Sequence, residues 1–379
     1  MPWGTTQGIQ VPYPSSNANV IPPDIFRMAI NFFPERCPLL YNLSKFPLNA
    51  LTFYTNDDTY RPRTTTLGGA YTSTGTTLTV SDSTGITVGD VLEVDSERFL
   101  VTAINNATTV TVTYAFEGTT NANHSNSSTV TIVTNARTGA DVDQSAMSRL
   151  ASAVAQYAQT VQHPYQVGGS LQSTSNFMGG LTTPLDRDRM MAIQHVMDDF
   201  ERAMYYGKGQ ALSSTISNQT MKGFKTRLTT NNTTIPTNAS AYKPSDFNRD
   251  TLQKCLTNGG SPNLILVSSD FLQGLHTWGW NLQLVDAGAS ELGIKPTVYT
   301  TPFIGSCMLV PAPLLATGTA IAMNTREVRI GIKRRLFDKP RGSRGDAEEG
   351  DIIMEGAIEV ENESHHAWVS GITGWAVQS

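Results

Sequence analysis

PLDRDRMMAIQHVMDDFERAMYY, residues 184–206, is the strongest helix signal in this chain of 379 residues. Its larger apolar residues recur at alternating spacings of three and four, which places them on one face of a helix: Met190, Ile193, Met197, Phe200 and Met204. Thr183 and Pro184 are residue types favoured where a helix begins, and Gly207 is favoured where one ends. The stretch therefore predicts one long helix that buries a single apolar stripe.

Upstream of this helix, the leading segment (residues 1–23) contains five prolines and no helical pattern. Such a segment is ordered only when something outside its own core holds it, so we expect an extended arm. Asp24 is a good cap for a short apolar helix over residues 25–33. PLLYNLSKF, residues 38–46, predicts a second helical piece, and Leu51–Tyr54 predicts a strand.

From Thr64 to about Ala136 the composition changes, because Thr, Ser, Gly, Asn and Val dominate and Arg98 is the only basic residue. β-Branched residues in this number disfavour helix. Four runs carry strand character, and the second reads as two strands that meet at Asp95-Ser96: TTLTV (76–80), VGDVLEVDSERFLVTAI (88–104), TTVTVTYAF (108–116) and STVTIVT (128–134). This block predicts five or six short strands in a small barrel or sandwich, set into a longer α+β chain.

The stretch after Arg137 is ambiguous: its alanines fit a helix over 145–160, whereas 153–167 also fits a strand, which we favour. Further on, Ser245 is placed to cap a helix over 246–257, and NLILVSS predicts a buried strand. The later segments are one helix that Ser269 would cap and a series of strands: DFLQGLHTWGW (270–280), 297–300, 307–310, IAMN (321–324), EVRIGIK (327–333), DIIMEGAIEVEN (351–362) and HHAWVSGITGW (365–375). We expect the polar residues 333–350 to form a loop.

Composition narrows the class of protein. Only 16% of residues are charged and the net charge is −5, so neither a disordered chain nor a strongly basic nucleic-acid binder is indicated. Cys37, Cys255 and Cys307 are far apart, which predicts three reduced thiols instead of a metal or disulfide framework. No basic and apolar leader opens the sequence and no apolar run approaches a membrane span, so a signal peptide and a membrane protein are not expected.

Candidate sites for chemistry are weak. His365 and His366 with Glu361 and Glu363 hint at a metal, but neighbouring strand residues point to opposite faces. The other candidates also favour structural roles: Asp186, Asp188, Asp198 and Asp199, GKGQAL (207–212), Arg344-Gly345-Asp346, Asn106 and Asn231, Ser268 and Ser269, and Trp278 and Trp280 near His276. Asp198 is predicted to pair with Arg202. We expect no catalytic residue, cofactor or metal.

One dense basic cluster lies near the C-terminus, formed by Lys333, Arg334, Arg335, Lys339, Arg341 and Arg344. It could bind nucleic-acid phosphate. We favour a surface loop that pairs with acidic loops of a neighbouring subunit.

The flanks of the β block, taken in order, resemble the major capsid proteins of tailed phages with the Hong-Kong-97-type fold. The resemblance rests on segment order and covers nearly the whole chain outside the block: IPPDIFRMAINFF (21–33), LTFYTNDD (51–58), LDRDRMMAIQHVMDDFERAMYYGKG (185–209), DFNRDTLQKCLTNGGSPNLILVSSDFLQGL (246–275) and RGDAEEGDIIMEGAIEVENESHHAWVSGITG (344–374). The closing segment, GD…EGAIEVEN, is the most specific part.

The resemblance implies the following domains: an N-terminal arm, 1–48; an extended loop, 49–165, with an inserted small β domain, 66–135; a peripheral domain, 166–244 and 325–379, with the spine helix 184–206; and an axial domain, 245–324. It also implies assembly through hexamers and pentamers into an icosahedral shell around double-stranded DNA, gripped only weakly. Expected partners are a portal and scaffolding or decoration proteins, and the expected location is the virion, after assembly in the host cytoplasm. The insert would decorate the outer face or clamp neighbours, its strands adding edge to edge to another sheet.

Three alternatives remain: a phage tail or baseplate component, an encapsulin-like compartment shell, or a hydrolase with a scattered site.

Overall fold

The computed structural model describes residues 36–58, 61–137, 152–172, 184–236, 242–277, 297–301, 304–342 and 345–375. The strands in these ranges are β1 Ser44–Pro47, β2 Thr52–Asp57, β3 Thr64–Thr66, β4 Thr77–Thr79, β5 Asp90–Val94, β6 Glu97–Asn106, β7 Thr109–Thr113, β8 Thr129–Asn135, β9 Ser152–Tyr157, β10 Gln159–Gly168, β11 Lys208–Gln210, β12 Thr220–Lys222, β13 Asn232–Thr234, β14 Leu264–Val267, β15 Thr297–Thr301, β16 Gly305–Pro311, β17 Ala320–Met323, β18 Val328–Arg341, β19 Ala347–Val360 and β20 Ala367–Ser370. The α-helices are α1 Pro38–Asn42, α2 Gly169–Gln172, α3 Pro184–Tyr206, α4 Phe224–Arg227, α5 Pro244–Phe247, α6 Lys254–Thr257 and α7 Ser269–Thr277. The chain is α+β, as predicted.

The chain divides into two compact units, residues 1–58 with 152–379, and residues 59–151. In the smaller unit, six strands form one sheet in the order β3-β8-β5-β6-β7-β4. The backbone N–H of Gly68 donates to Thr79 and that of Ser81 donates to Thr66, which joins the first strand to the last. The sheet is therefore closed into a small barrel around an apolar core that includes Leu92, Phe99, Val110 and Val130.

Closure of the barrel corrects one expectation. Edge-to-edge addition to another sheet needs a strand with free backbone N–H and C=O groups along one side. In the described part of this unit, β3 and β4 are the outermost strands, and they bond to each other at their ends. The barrel therefore offers no long free edge, and its contacts with a neighbour would have to be made by side chains.

In the larger unit, α3 packs across a four-stranded sheet of order β1-β18-β19-β10. The helix has the bounds predicted from the sequence. The residues buried on its apolar face include Ile193, Met197, Phe200 and Met204. β18 and β19 are 14 residues each and pair as a long hairpin, so the loop expected at 333–350 is wrong. The favoured strand at 153–167 is confirmed, divided into β9 and β10, which enter different sheets.

A second sheet, of order β13-β20-β17-β14-β16-β15, separates two apolar cores. Alternate side chains of a strand point to opposite faces. Accordingly, Leu264 and Leu266 of β14 face the core shared with α3, whereas Ile265 and Val267 face a core with α7. β13 and β20 lie outside residues 245–324 yet belong to this sheet.

The helix expected at 246–257 begins at Pro244, after Lys243, so Ser245 is not its cap. Its middle turns, Asn248–Gln253, form a π-helix between α5 and α6. PLLYNLSKF contains α1, as predicted, followed by β1. The helix expected at 25–33, and Trp278 and Trp280, lie outside the described residues.

Candidate assembly surfaces

A buried carboxylate on α3 holds the start of α1. Glu201 is fully buried and accepts the backbone N–H groups of Leu39, at 2.8 Å, and Leu40, at 3.1 Å. The Tyr205 hydroxyl donates to the same carboxylate at 2.8 Å. The first N–H groups of a helix lack intrahelical partners and carry partial positive charge, so a carboxylate satisfies them. Burial raises the pKa of Glu201 to about 7, only partly offset by these hydrogen bonds.

Arg36, two residues ahead of α1, is fixed to the same helix. Arg36 contacts the Asp198 carboxylate through two guanidinium nitrogens, at 2.5 and 3.2 Å. The predicted pair of Asp198 with Arg202 is therefore wrong, because a residue 162 positions away occupies the carboxylate. Together with the Glu201 contacts, this ion pair fixes the position at which the N-terminal part of the chain joins the body.

A second anchor lies at the base of the loop that leads to residues 59–151. β2 and β9 form a two-stranded antiparallel pair from Thr52↔Tyr157 to Asp57↔Ser152. Asp57, at the end of β2, forms a buried ion pair with Arg227 of α4 and accepts the backbone N–H of Glu363 at 3.3 Å. Breaking a buried pair leaves an uncompensated charge, so this contact strongly fixes the base of the loop.

Glu363 extends that anchor. Its carboxylate accepts the backbone N–H and hydroxyl groups of both Thr229 and Thr230. Burial opposes ionisation of Glu363, but the hydrogen bonds outweigh it and lower the pKa of the carboxyl group. The next residue of the chain after β2, Asp58, donates its backbone N–H to Asn362 at 2.9 Å. Three separated segments of sequence, residues 57–58, 227–230 and 362–363, thus meet at the base of the loop.

The basic cluster forms a ladder of ion pairs along the β18–β19 hairpin. Arg341 binds the buried Asp351 carboxylate through two nitrogens, at 2.6 and 2.7 Å. Further from the turn of the hairpin, Arg334 binds Glu355, and Lys333 lies 3.5 Å from the same carboxylate. For these three residues the carboxylates come from their own chain, and the expected pairing with a neighbouring subunit's acidic loops stays a prediction.

The ladder continues at Arg329, whose Nε lies 3.0 Å from Glu359. Both atoms are buried and this N–H does not point at the oxygen, so the contact is an ion pair without a hydrogen bond. Burial raises the pKa of Glu359, although Arg329 acts against it. Among the described residues, Arg335 and Lys339 are exposed and have no carboxylate within ion-pair distance.

These features describe a body with two firmly anchored departure points. A family model described as SU10 major capsid protein matches residues 4–373, which is nearly the whole chain. The chain belongs to the SU10 major capsid protein family. The resemblance to phage major capsid proteins drawn from the sequence is thereby confirmed, and a long helix packed on a hairpin sheet is the architecture that the resemblance implied.

Solved structures resemble this major capsid protein only distantly. The SrpI encapsulin complex of Synechococcus elongatus PCC 7942 is 10% identical, with 90% of each chain covered and a TM-score of 0.44. A Mycobacterium phage Bobi structure is 12% identical over 88% of this chain and 90% of that one, with a TM-score of 0.43. The satellite phage P4 procapsid is 12% identical over 100% of both chains, with a TM-score of 0.45. We base no conclusion on likenesses this distant. No curated protein sequence is significantly similar to the chain.

The histidine cluster of this capsid protein is structural. His365 and His366 lie at a 3₁₀ turn, Glu363–His365, and not on a strand as assumed from the sequence. His365 contacts Glu327 through Nδ1 at 2.9 Å. His366 accepts the Asn324 N–H at 3.2 Å through Nδ1, and burial lowers its pKa to about 4. The described residues contain no group of three or more potential ligands arranged around a metal position.

The other motifs occupy turns and packed positions. A side chain at Gly207 would meet the Met221 carbonyl oxygen at 2.3 Å, so GKGQAL needs its first glycine for close backbone packing and not for a phosphate. Gly345 has a φ of +69° in the turn of the β18–β19 hairpin, and Arg344 lies outside the described residues. Ser268 is buried and accepts the Thr319 N–H, and Asn231 is buried and donates to two carbonyl groups.

Two other aspartates of α3 form surface pairs: Asp186 lies 3.8 Å from Arg189, and Asp199 bonds His163 at 2.7 Å. The three cysteines are buried free thiols, and burial raises the pKa of Cys255 to about 12 and that of Cys307 to about 11. In the described ranges, no helix combines the length and apolar character needed to cross a bilayer.

Proposed function

We propose that copies of this chain assemble through hexamers and pentamers into an icosahedral shell that encloses packaged double-stranded DNA. The single observation that carries the proposal is the match of residues 4–373 to a major capsid protein family. The two anchors support it: Glu201 with Arg36, and the Asp57–Arg227 pair, fix the points from which residues 1–35 and 59–151 leave the body. Segments that start from fixed points can reach neighbours in a repeatable geometry, as closed rings require.

The charge distribution bears on the expected partners. Arg329, Arg334 and Arg341 are matched by carboxylates of their own chain, and the net charge is −5. These pairs reduce the positive charge that the hairpin can offer to phosphate, which fits a container that contacts DNA weakly. We infer a structural role in the virion, without catalysis or cofactor, after assembly in the host cytoplasm. A portal and separate scaffolding or decoration proteins would complete the particle.

The barrel at residues 61–137 would lie on the outer surface or against a neighbouring subunit. Its closed sheet favours contact through side chains, of which Ile104 and Tyr114 are large, apolar and exposed. Negative-stain microscopy of the purified full chain tests the proposal. Closed shells are the expected result. Tubes or flat rings would favour a tail component, and a monomer at every concentration would contradict assembly.

A further inference from the structure

An open groove of about 490 Å³ lies beside the start of β10 in the larger unit. Leu51, Ala158 and Leu212 form its apolar walls, and Leu51 and Leu212 are 40% and 48% exposed. The remaining lining residues carry amides or hydroxyls, so the groove contains no charged side chain. An exposed pair of leucines beside uncharged polar groups is typical of a surface that another segment covers.

Two features of the groove suit an extended chain. β10 is the last strand of its sheet, and in the part of the chain that the structure describes no strand pairs with its outer side. Alternate backbone N–H and C=O groups of such an edge are available to an added strand. In addition, the Gln219 side chain donates to the Leu51 carbonyl at 2.8 Å, while its Oε1 is buried without a partner. A buried acceptor without a hydrogen bond destabilises the structure, so a bound segment that supplied a donor would be stabilised there.

The leading segment of the chain has matching chemistry. Residues 1–23 contain no Asp, Glu, Lys, Arg or His, in a protein with 16% charged residues. Within this segment, residues 3–11 (WGTTQGIQV) are free of proline and so retain every backbone N–H that an added strand needs. Ile9 and Val11 would point to one side of that strand. The remaining prolines are compatible with an edge position.

We propose that residues 3–11 of a second copy of this chain bind in the groove as a strand added to β10, with Ile9 and Val11 against Leu51 and Leu212. This rests on the proposed function, which places copies side by side. The 24 residues between Val11 and Arg36 span up to roughly 80 Å when extended, enough to leave one body and reach the next.

Disulfide trapping between two full-length single-cysteine variants tests the proposal. Val11→Cys and Leu212→Cys are co-assembled, oxidised and analysed on a non-reducing gel, with the linked peptides identified by mass spectrometry. Both changed residues are uncharged, and the native thiols are buried. The matched control pairs Val11→Cys with Ile104→Cys, an exposed apolar residue on the barrel. We expect the 11–212 link to exceed the control link at least ten-fold.

The outcomes separate the two proposals. Closed particles with equal links in test and control would overturn the groove assignment and leave the capsid function standing. A link within one chain in the Val11→Cys, Leu212→Cys double variant, without links between chains, would also overturn it. Absence of particles under every condition would contradict the capsid function and the docking proposal together.

Discussion

The carboxylate of Glu201, buried on the long helix, accepts the backbone N–H of Leu39 at 2.8 Å across 162 positions of sequence. This contact satisfies the open end of α1 and fixes the place where the N-terminal part of the chain joins the body. It also places an ionisable group inside the core, whose pKa burial raises from 4.5 to about 7.

Glu201 should make stability depend on pH. Because its folded-state pKa lies above its unfolded value, its contribution is fully present below pH 4.5 and is lost as the pH rises through about 7. The loss should reach about 3 kcal/mol, from 1.36 kcal/mol per unit of pKa. The measurement is the free energy of unfolding of wild type and Glu201→Gln in denaturant from pH 4 to 8.

His366 changes stability in the opposite direction, since burial lowers its pKa to about 4, so only the difference between wild type and variant isolates Glu201. That difference should shrink as the pH rises from 4.5 to 7. Arg202→Gln changes an exposed residue on the same helix, so its free energy of unfolding should vary with pH as that of wild type does. A constant difference for Glu201→Gln would contradict the assignment.

Removing one partner of the Asp57–Arg227 pair should destabilise the fold strongly, whereas replacing both partners by apolar residues should destabilise it less. Asp57→Asn leaves the Arg227 guanidinium buried without its counter-charge, and we expect a loss of about 3–5 kcal/mol in the free energy of unfolding. Arg227→Met together with Asp57→Leu removes both charges and should recover part of that loss. Equilibrium denaturation of Asp57→Leu, Arg227→Met and the double variant gives the coupling. Additive effects would mean that the pair does not anchor the loop.

Two arginines of the basic cluster should behave differently. Arg341→Met removes the arginine that binds the buried Asp351 through two nitrogens, and it should lower the free energy of unfolding by about 1–3 kcal/mol. Arg335→Met, which removes an exposed arginine with no ion-pair partner among the described residues, should change stability by less than about 0.5 kcal/mol. Thermal or chemical unfolding of both variants makes the comparison. Equal effects would show that the ladder is not what stabilises the hairpin.

The barrel can be removed to learn whether it holds neighbours together. If side chains of the barrel clamp adjacent subunits, replacing residues 66–134 with a short Gly/Ser linker should leave particles that assemble but dissociate at a lower temperature. Light scattering during heating, with microscopy of the same samples, measures this. Particles as heat-stable as wild type would mean that the barrel only decorates the surface.

Local signals in the sequence predicted the elements that local interactions determine. Residues 184–206 carry their own apolar stripe, start and stop, and Asp95-Ser96 marks the turn between β5 and β6, where Asp95 has a φ of +54°. Residues 333–341 look like a polar loop because the carboxylates that pair with Lys333, Arg334 and Arg341 lie on β19, further along the chain. The contacts of Glu201 and of Asp57 join residues more than 160 positions apart, so no spacing in the sequence indicates them. The groove beside β10 is likewise formed by three separated segments.

Cryo-electron microscopy of particles assembled from the full-length chain is the decisive test of shell formation. We expect a closed icosahedral shell, with rings of five copies at the vertices, rings of six between them, and α3 and the β18–β19 hairpin of every copy in the wall. A helical tube, a single flat ring or a particle without five-fold vertices would contradict it.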